Sequence, residues 1–368
     1  MKSRVLKVFQ HLDPKPDALV VANATEPHLD PTFFYLTDIP HGLFEDSLAI
    51  AHPDGEIDLI VIRLEEETAR ATAKSDPHLT IHATERDESD GPVRKALDGA
   101  GTVGLNYREL THSWFVRLDK LLPGTRWVDA SAAIRQARVT KEPAEIERLR
   151  KAAQIGSKVA TEIPSFLRTG MTELELAAEM EHRMNQYGAG GRSFATIVAF
   201  GPHAAEPHFE PSETRLKPGQ SIVCDFGALC RRYVSDITRS FHFGPRDEEM
   251  KRVYETVAAA QAATLTAIRP GLPARDLHFA AHKVIDASPF KGRMNHGVGH
   301  SIGLAVHDGW RYGANSTDLL EEGMAFTVEP GIYLPGKGGV RIEDDVVVTK
   351  KGFEFLSTAP RDYLEVPA

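Results

Sequence analysis

Asp225, Asp236, Glu329 and Glu343 are the residues of this chain best placed to do chemistry together, because the segments that carry them are copies of one another. Residues 216–227 (LKPGQSIVCDFG) align with residues 320–331 (LEEGMAFTVEPG) at a constant spacing of 104. Each copy runs from a Gly turn into an apolar, β-branched strand, then an acid, then a Gly. Return strands at 233–238 (YVSDIT) and 340–345 (VRIEDD) bring a second acid to each copy. On antiparallel neighbours, Asp225 and Asp236 are expected on one inward face, with Glu329 and Glu343 repeating that arrangement from the other half. Four carboxylates at one focus repel unless cations neutralise them. One acid on a strand is ordinarily a solvated edge charge; four in two matched copies are a metal site.

Imidazoles lie between the copies, in HGVGH at 296–300 and VHD at 306–308. His300 is the preferred ligand, since Gly299 lets the backbone approach closely and Ile302 and Leu304 supply apolar surroundings. His296 and His307 would line the same cleft as proton donors or substrate contacts, although either alone reads as an ordinary core histidine. His208, in EPHF at 206–209, precedes the first hairpin and has weaker spacing. An oxygen-rich set with one imidazole suits hard or borderline divalent ions such as Mn²⁺, Co²⁺ or Zn²⁺. Two such ions roughly 3.5 Å apart can share a water that becomes hydroxide near neutral pH.

The duplication extends to the elements that must position these residues. GMTELEL at 170–176 has a counterpart in GLPARDL at 271–277, at a spacing of 101, and Thr172 with Glu175 forms a capping-box pattern. Each half therefore reads as helix then strand hairpin, and two such halves would close around a pseudo-twofold axis with the site upon it. Ahead of them, KEP at 141–143 opens a connector helix through residue 160. Residues 1–140 read as a smaller α/β domain, with strands at 18–22 and 103–105, a hairpin of 47–51 with 57–62, and a helix at 65–73. Its histidines, His11, His28, His41, His52, His78, His82 and His112, read as scattered surface or satisfied residues.

The bulk properties agree with this chemistry. A chain of 368 residues, 42% hydrophobic and 26% charged, suits two globular domains. A net charge of −9 without a basic run argues against nucleic acid as a partner. Cys224 and Cys230 are the only cysteines, which fits no disulfide framework and a reducing cytoplasm; Cys224 reads as core. No uncharged stretch approaches 18 residues and the N-terminus has no apolar leader core, so neither a membrane span nor export is expected.

DFG at 225–227, SDITR at 235–239, HGVGH at 296–300, VEPGIY at 328–333 and RIED at 341–344 resemble, in order, the signatures of the M24 "pita-bread" metallopeptidases. FYLTD at 34–38 resembles the creatinase-type N-terminal domain of prolidases and aminopeptidases P, and 142–150 the family's linker helix. The resemblance implies an α/β fold: a creatinase-like domain over 1–140 and a duplicated pita-bread catalytic domain over 141–368. It implies two divalent metal ions (Mn, Co or Zn), with Asp225 on one, His300 and Glu329 on the other, and Asp236 and Glu343 bridging. It further implies that His208 contacts substrate and transition state and that His307 hydrogen-bonds the scissile carbonyl or helps proton transfer. Arg341 would orient substrate through a carboxylate, His296 would line the proline side, and Glu329 would also shuttle a proton. The implied reaction is metal-dependent hydrolysis of Xaa-Pro bonds by a cytoplasmic homodimer acting on peptides with proline second.

Dipeptide substrates are favoured; cleavage of longer Xaa-Pro peptides, as by aminopeptidase P, is the alternative. Creatinase shares the architecture without the ligands, and methionine aminopeptidases share the ligands without this N-terminal domain. A lyase or a non-catalytic binding protein on the same fold would show itself in a non-peptide substrate screen or a metal assay.

Overall fold

The computed structural model describes every residue except Asp87, and its packing divides the chain into two compact units, Met1–Arg138 and Val139–Ala368. In the first, six strands form one mixed sheet in the order β4-β3-β2-β1-β5-β6. They are β1 (Ala18–Ala22), β2 (Leu48–Ala51), β3 (Ile57–Ile62), β4 (Leu79–Thr84), β5 (Thr102–Leu105) and β6 (Arg126–Asp129). Among the described residues six α-helices accompany them: α1 (Lys2–Gln10), α2 (Pro31–Thr37), α3 (Glu66–Ala73), α4 (Asp90–Ala96), α5 (His112–Leu121) and α6 (Ser131–Val139). β1, ALVVA, is buried at every position, as a strand with both faces covered must be.

At one edge of this sheet three of the seven histidines, His52, His78 and His82, are satisfied as expected but gathered rather than scattered. Asp58 accepts from His52 Nε2 at 2.9 Å and from His82 Nε2 at 2.6 Å, and His78 Nδ1 lies 2.6 Å from Glu56 Oε1. Strand register is the cause. Asp58 pairs with Thr80 in the β3–β4 ladder, so His82, two residues on, shares its face. The Asp58 hydrogen bond raises His52 above the ordinary imidazole range, and the bond from His52 lowers Asp58.

The second unit begins with α7 (Pro143–Phe166), opened by the Glu142/Glu145 capping box with Pro143 at its first position. Then come α8 (Glu173–Gln186), β7 (Ile197–Phe200), β8 (Gln220–Phe226), β9 (Leu229–Cys230), β10 (Tyr233–Val234) and β11 (Ile237–Phe243). The second half repeats this with α9 (Glu248–Ala267), α10 (Ala274–Asp286), β12 (Gly299–His300), β13 (Arg311–Tyr312), β14 (Ala325–Val328), β15 (Gly331–Leu334), β16 (Gly338–Arg341) and β17 (Asp344–Thr349). The expected Thr172/Glu175 capping box is present at α8, both bonds made.

Backbone bonds show the duplication directly. Gly170 N donates to Leu216 O and Gly271 N to Leu320 O; Glu173 N donates to Thr214 O and Ala274 N to Asp318 O. The two hairpins, β8–β11 and β14–β17, are antiparallel. Their apolar sides feed separate cores, Ile222, Cys224 and Phe226 against α8, and Phe326 and Val328 against α9 and α10. Burial of these strands is what holds the acids on their opposite face in a fixed place.

The return strands depart from the expected symmetry. Cys224 pairs with Arg239 and Val328 with Asp344. The first members stand 104 residues apart and the second 105, because the second return path is one residue longer. By that register the counterpart of Glu343 is Thr238, and the counterpart of Asp236 is Arg341. Asp236 itself lies just before β11, one pleat away from the place the second half uses for Glu343.

Candidate metal centre

All nine residues singled out from sequence line one cleft of about 760 Å³: His208, Asp225, Asp236, His296, His300, His307, Glu329, Arg341 and Glu343. Asp236, His300 and Glu343 each offer a ligand atom within 4.8 Å of the others, and all three are buried. His300 Nε2 stands 3.5 Å from Asp236 Oδ2 and 3.5 Å from Glu329 Oε1. Gly299 allows this: a Cβ there would lie 1.9 Å from Thr327 O, so only glycine lets β12 rest against β14. His300 N then donates to Thr327 Oγ1 at 3.1 Å, fixing the imidazole beside Glu329.

Asp225 accepts from Arg341 Nη2 at 2.6 Å. Arg341 also donates from Nε to Thr238 Oγ1 at 3.0 Å, and from Nη1 to Tyr333 Oη at 3.0 Å and Pro207 O at 3.3 Å. Its guanidinium therefore braces the wall of the site and the loop beside it. Thr238 Oγ1 donates in turn to Glu343 Oε2 at 2.5 Å, so the two register counterparts touch. Their neighbours, Arg239 and Asp344, are also counterparts and form a buried ion pair at 2.7 Å. Asp344 further accepts from Gln261, Ser357 and Arg361. This pair and Asp345 Oδ2, which takes the Asp236 N–H at 3.0 Å, lock the acid-bearing strands together.

Burial, reinforced by Glu343, Asp225, Asp345 and Glu329, holds the Asp236 carboxyl well above the usual range. Burial and then Glu329 and Asp225 do the same to Glu343, and burial lifts Glu329 to about 7 against the opposing pull of Arg341. His300 is pushed down to about 3 by burial and then by His307, whose ring centre lies 4.3 Å away. A neutral imidazole among acids that resist ionisation is a set awaiting positive charge. Asp225 Oδ1 and Asp236 Oδ1 are buried without a protein partner. Buried carboxylate oxygens without donors are costly, and a divalent cation is the partner that buried O/N donors of this kind fit.

His296 donates from Nδ1 to Gly297 O at 2.7 Å, which leaves Nε2 to accept from Tyr333 Oη at 2.9 Å. Burial, then Arg341, lowers His296 to about 4, consistent with that neutral tautomer. Burial, Arg311 and His208 lower His307 as well.

Several residues of the site were not anticipated. Thr238 was findable, two residues from Asp236 on the same strand face. Tyr333, Arg239, Asp344 and Asp345 sat inside quoted motifs without a role. Arg311, on the cleft wall next to His307, gave no sequence signal, because its strand β13 is only two residues long and shows no periodic pattern.

Residues 147–350 match the sequence model of metallopeptidase family M24, and residues 13–140 that of the creatinase/prolidase N-terminal domain. An uncharacterised peptidase of Staphylococcus aureus is 37% identical over 252 residues, 68% of this chain and 72% of that protein. Among solved structures, the prolidase of Pyrococcus horikoshii OT3 superposes with a TM-score of 0.87 at 31% identity, covering 98% of this chain and 99% of that one. The X-Pro aminopeptidase of Thermotoga maritima MSB8 has a TM-score of 0.87 at 30% identity, covering 95% and 97%. The Xaa-Pro dipeptidase of Bacillus anthracis has the same TM-score of 0.87 at 30% identity, covering 99% and 98%. The chain belongs to metallopeptidase family M24 and carries a creatinase/prolidase N-terminal domain.

Proposed function

We propose that the protein hydrolyses the bond between an N-terminal residue and a following proline, with dipeptides as its preferred substrates. The observation that carries this is the set of buried Asp225, Asp236, His300 and Glu343 with half-buried Glu329, lining one cleft together with His208, His296, His307 and Arg311. Those five would hold two divalent ions, Asp236 and Glu343 shared between them, with Mn²⁺, Co²⁺ or Zn²⁺ suited to the donors. When bound, such ions polarise a carbonyl and bring the pKa of a water to near neutrality.

The chain's own residues supply the rest. His307 hydrogen-bonds the scissile carbonyl oxygen as charge develops on it, while Glu329 carries a proton toward the leaving nitrogen. That nitrogen belongs to proline, which offers no N–H, so recognition falls on shape and on the ends of the substrate. Arg341 acts from behind Asp225, orienting it and keeping Tyr333 against His296. The carboxylate of a dipeptide then falls to Arg311, a cation on the cleft wall that would recognise it bidentately. Two cysteines, one buried and one half-buried, fit a reducing cytoplasm, and no described helix is long and apolar enough to cross a membrane. Homodimer formation remains part of the reading, as the resemblance implies.

The test is turnover of Xaa-Pro against Xaa-Pro-Yaa, with products read by mass, on wild-type and Arg311→Ala protein. The reading predicts faster cleavage of the dipeptide. It also predicts a loss of about 10–100-fold in kcat/KM confined to KM for Arg311→Ala. Preference for the longer peptide, unchanged in Arg311→Ala, would favour an aminopeptidase P.

A further inference from the structure

Residues 201–211, which bring Ala205, Glu206, Pro207 and His208 to the cleft, are tied at both ends to one side chain. Glu173, the first residue of α8, is fully buried. Its Oε1 accepts from Phe200 N at 2.9 Å and from His203 Nδ1 at 2.9 Å. Its Oε2 accepts from Ser212 N at 3.0 Å and Ser212 Oγ at 2.6 Å. Four donors on one buried carboxylate make a rigid, fully satisfied junction. His203 also stacks on Phe209, ring centres 4.1 Å apart, which braces the loop from within.

The duplication supplies a control. Ala274 occupies the position of Glu173 in the second half: each is the first residue of its helix, and each donates its N–H to the matching carbonyl, Thr214 O or Asp318 O. The helix–hairpin unit is therefore built equally well around a methyl group. A carboxylate is present only in the half that carries the loop. On the far side the loop lies on glycine backbone, where a Cβ at Gly339 would fall 2.1 Å from Ala204 O. Pro207 O is held by Arg341.

We propose that Glu173 is a positioning residue for the peptidase reaction: it clamps both ends of the 201–211 loop and so holds His208 over the cleft. The kinetic consequence rests on the reading of His208 as a substrate contact; the clamp itself does not. Glu173→Gln keeps the shape but offers one acceptor oxygen and turns two N–H groups toward donors.

Two measurements on the Mn²⁺-loaded full chain test this. Hydrogen exchange without substrate should show the Phe200 and Ser212 amides losing at least about tenfold of their protection in Glu173→Gln, with α8 and β8 unchanged. Unchanged protection of those two amides would overturn the clamp, whether or not Xaa-Pro peptides are substrates. In kinetics, Glu173→Gln should lose on the order of 10–100-fold in kcat/KM with metal content retained. In a His208→Ala background the same change should cost less than about threefold. An equal loss in both backgrounds would show that Glu173 does not act through His208. Should Glu173→Gln fail to fold, Ser212→Ala, which removes one donor of four, must give the same effects in weaker form, and wild-type exchange there would sink the proposal. Failure of wild-type protein to cleave any Xaa-Pro peptide would instead count against the proposed function and leave the exchange result to decide the clamp.

Discussion

Each unit of this protein gathers an acid among histidines, yet the two clusters obey opposite physics. In the N-terminal unit, both oxygens of Asp58 are taken by His52 and His82, and all three side chains are about a quarter exposed. Both carboxylate oxygens are satisfied, and the shifts run toward charge, His52 up and Asp58 down. In the C-terminal unit the carboxylates of Asp236 and Glu343 are buried beside more acids, and their shifts run away from charge. Oxygens on Asp225 and Asp236 are left without donors. A satisfied cluster is an ion-pair network on a sheet edge. An unsatisfied one of like charges is a place made for a cation.

The contrast can be broken most severely at Glu343. Glu343→Ala should lower bound metal and reduce turnover by more than the ~10–100-fold typical of an outer-shell partner, whereas Asp58→Ala should change neither. Elemental analysis and Xaa-Pro kinetics on both variants decide it. Removing the metal should be felt next. At a metal concentration about 100 times its Kd, each site adds about 2.7 kcal/mol to stability. Chelation should therefore raise hydrogen exchange over 220–243 and 325–349 and leave 48–84 unaffected.

A subtler distinction lies in protons. Because the Asp236, Glu329 and Glu343 carboxyls are raised, with Glu329 near 7, they hold protons in the metal-free protein that a cation must displace. Metal affinity should rise with pH through about 7, with more protons released per ion at pH 6 than at pH 8.5. Calorimetry in buffers of different ionisation enthalpy reads that number. His300, lowered to about 3, is neutral throughout and adds nothing to the slope. The smallest effect belongs to Asp58→Asn, at about 1 kcal/mol of N-terminal stability or less. His52 is raised, so its contribution is full below the ordinary imidazole pKa and is lost as pH rises through the higher folded value. Asp58 is lowered, so its contribution is lost only in acid. The variant should thus differ from wild-type most near pH 6 and least above pH 9, by thermal melts.

Much of the site was legible because duplication repeats strand, acid and glycine at a fixed spacing. The fine symmetry was not, although its trace lay in the numbers: Asp225 and Asp236 are 11 apart, Glu329 and Glu343 14. One of the three extra residues lengthens the return path, and the other two move the acid one step along the same strand face. Only the ladders, Cys224 with Arg239 and Val328 with Asp344, separate those causes. That offset makes the site work as one object. It sets Arg341 opposite Asp225, and Thr238 beneath Glu343, so each half steadies an acid of the other. The Asp58 cluster was missed for a different reason, since β4 (LTIHAT) is short and half-buried and its pairing with β3 is non-local. Glu173 was visible only as part of a helix start, its four bonds depending on a loop whose path no local pattern dictates.

A paired cation centre would draw its ligands from both halves of the second unit. Stripping the protein with chelator and titrating Mn²⁺ while following Xaa-Pro cleavage tests it most directly. The stripped protein should show no turnover, and recovery should saturate at two ions per chain. Full turnover without metal, or none at any occupancy of Mn²⁺, Co²⁺ or Zn²⁺, would contradict it.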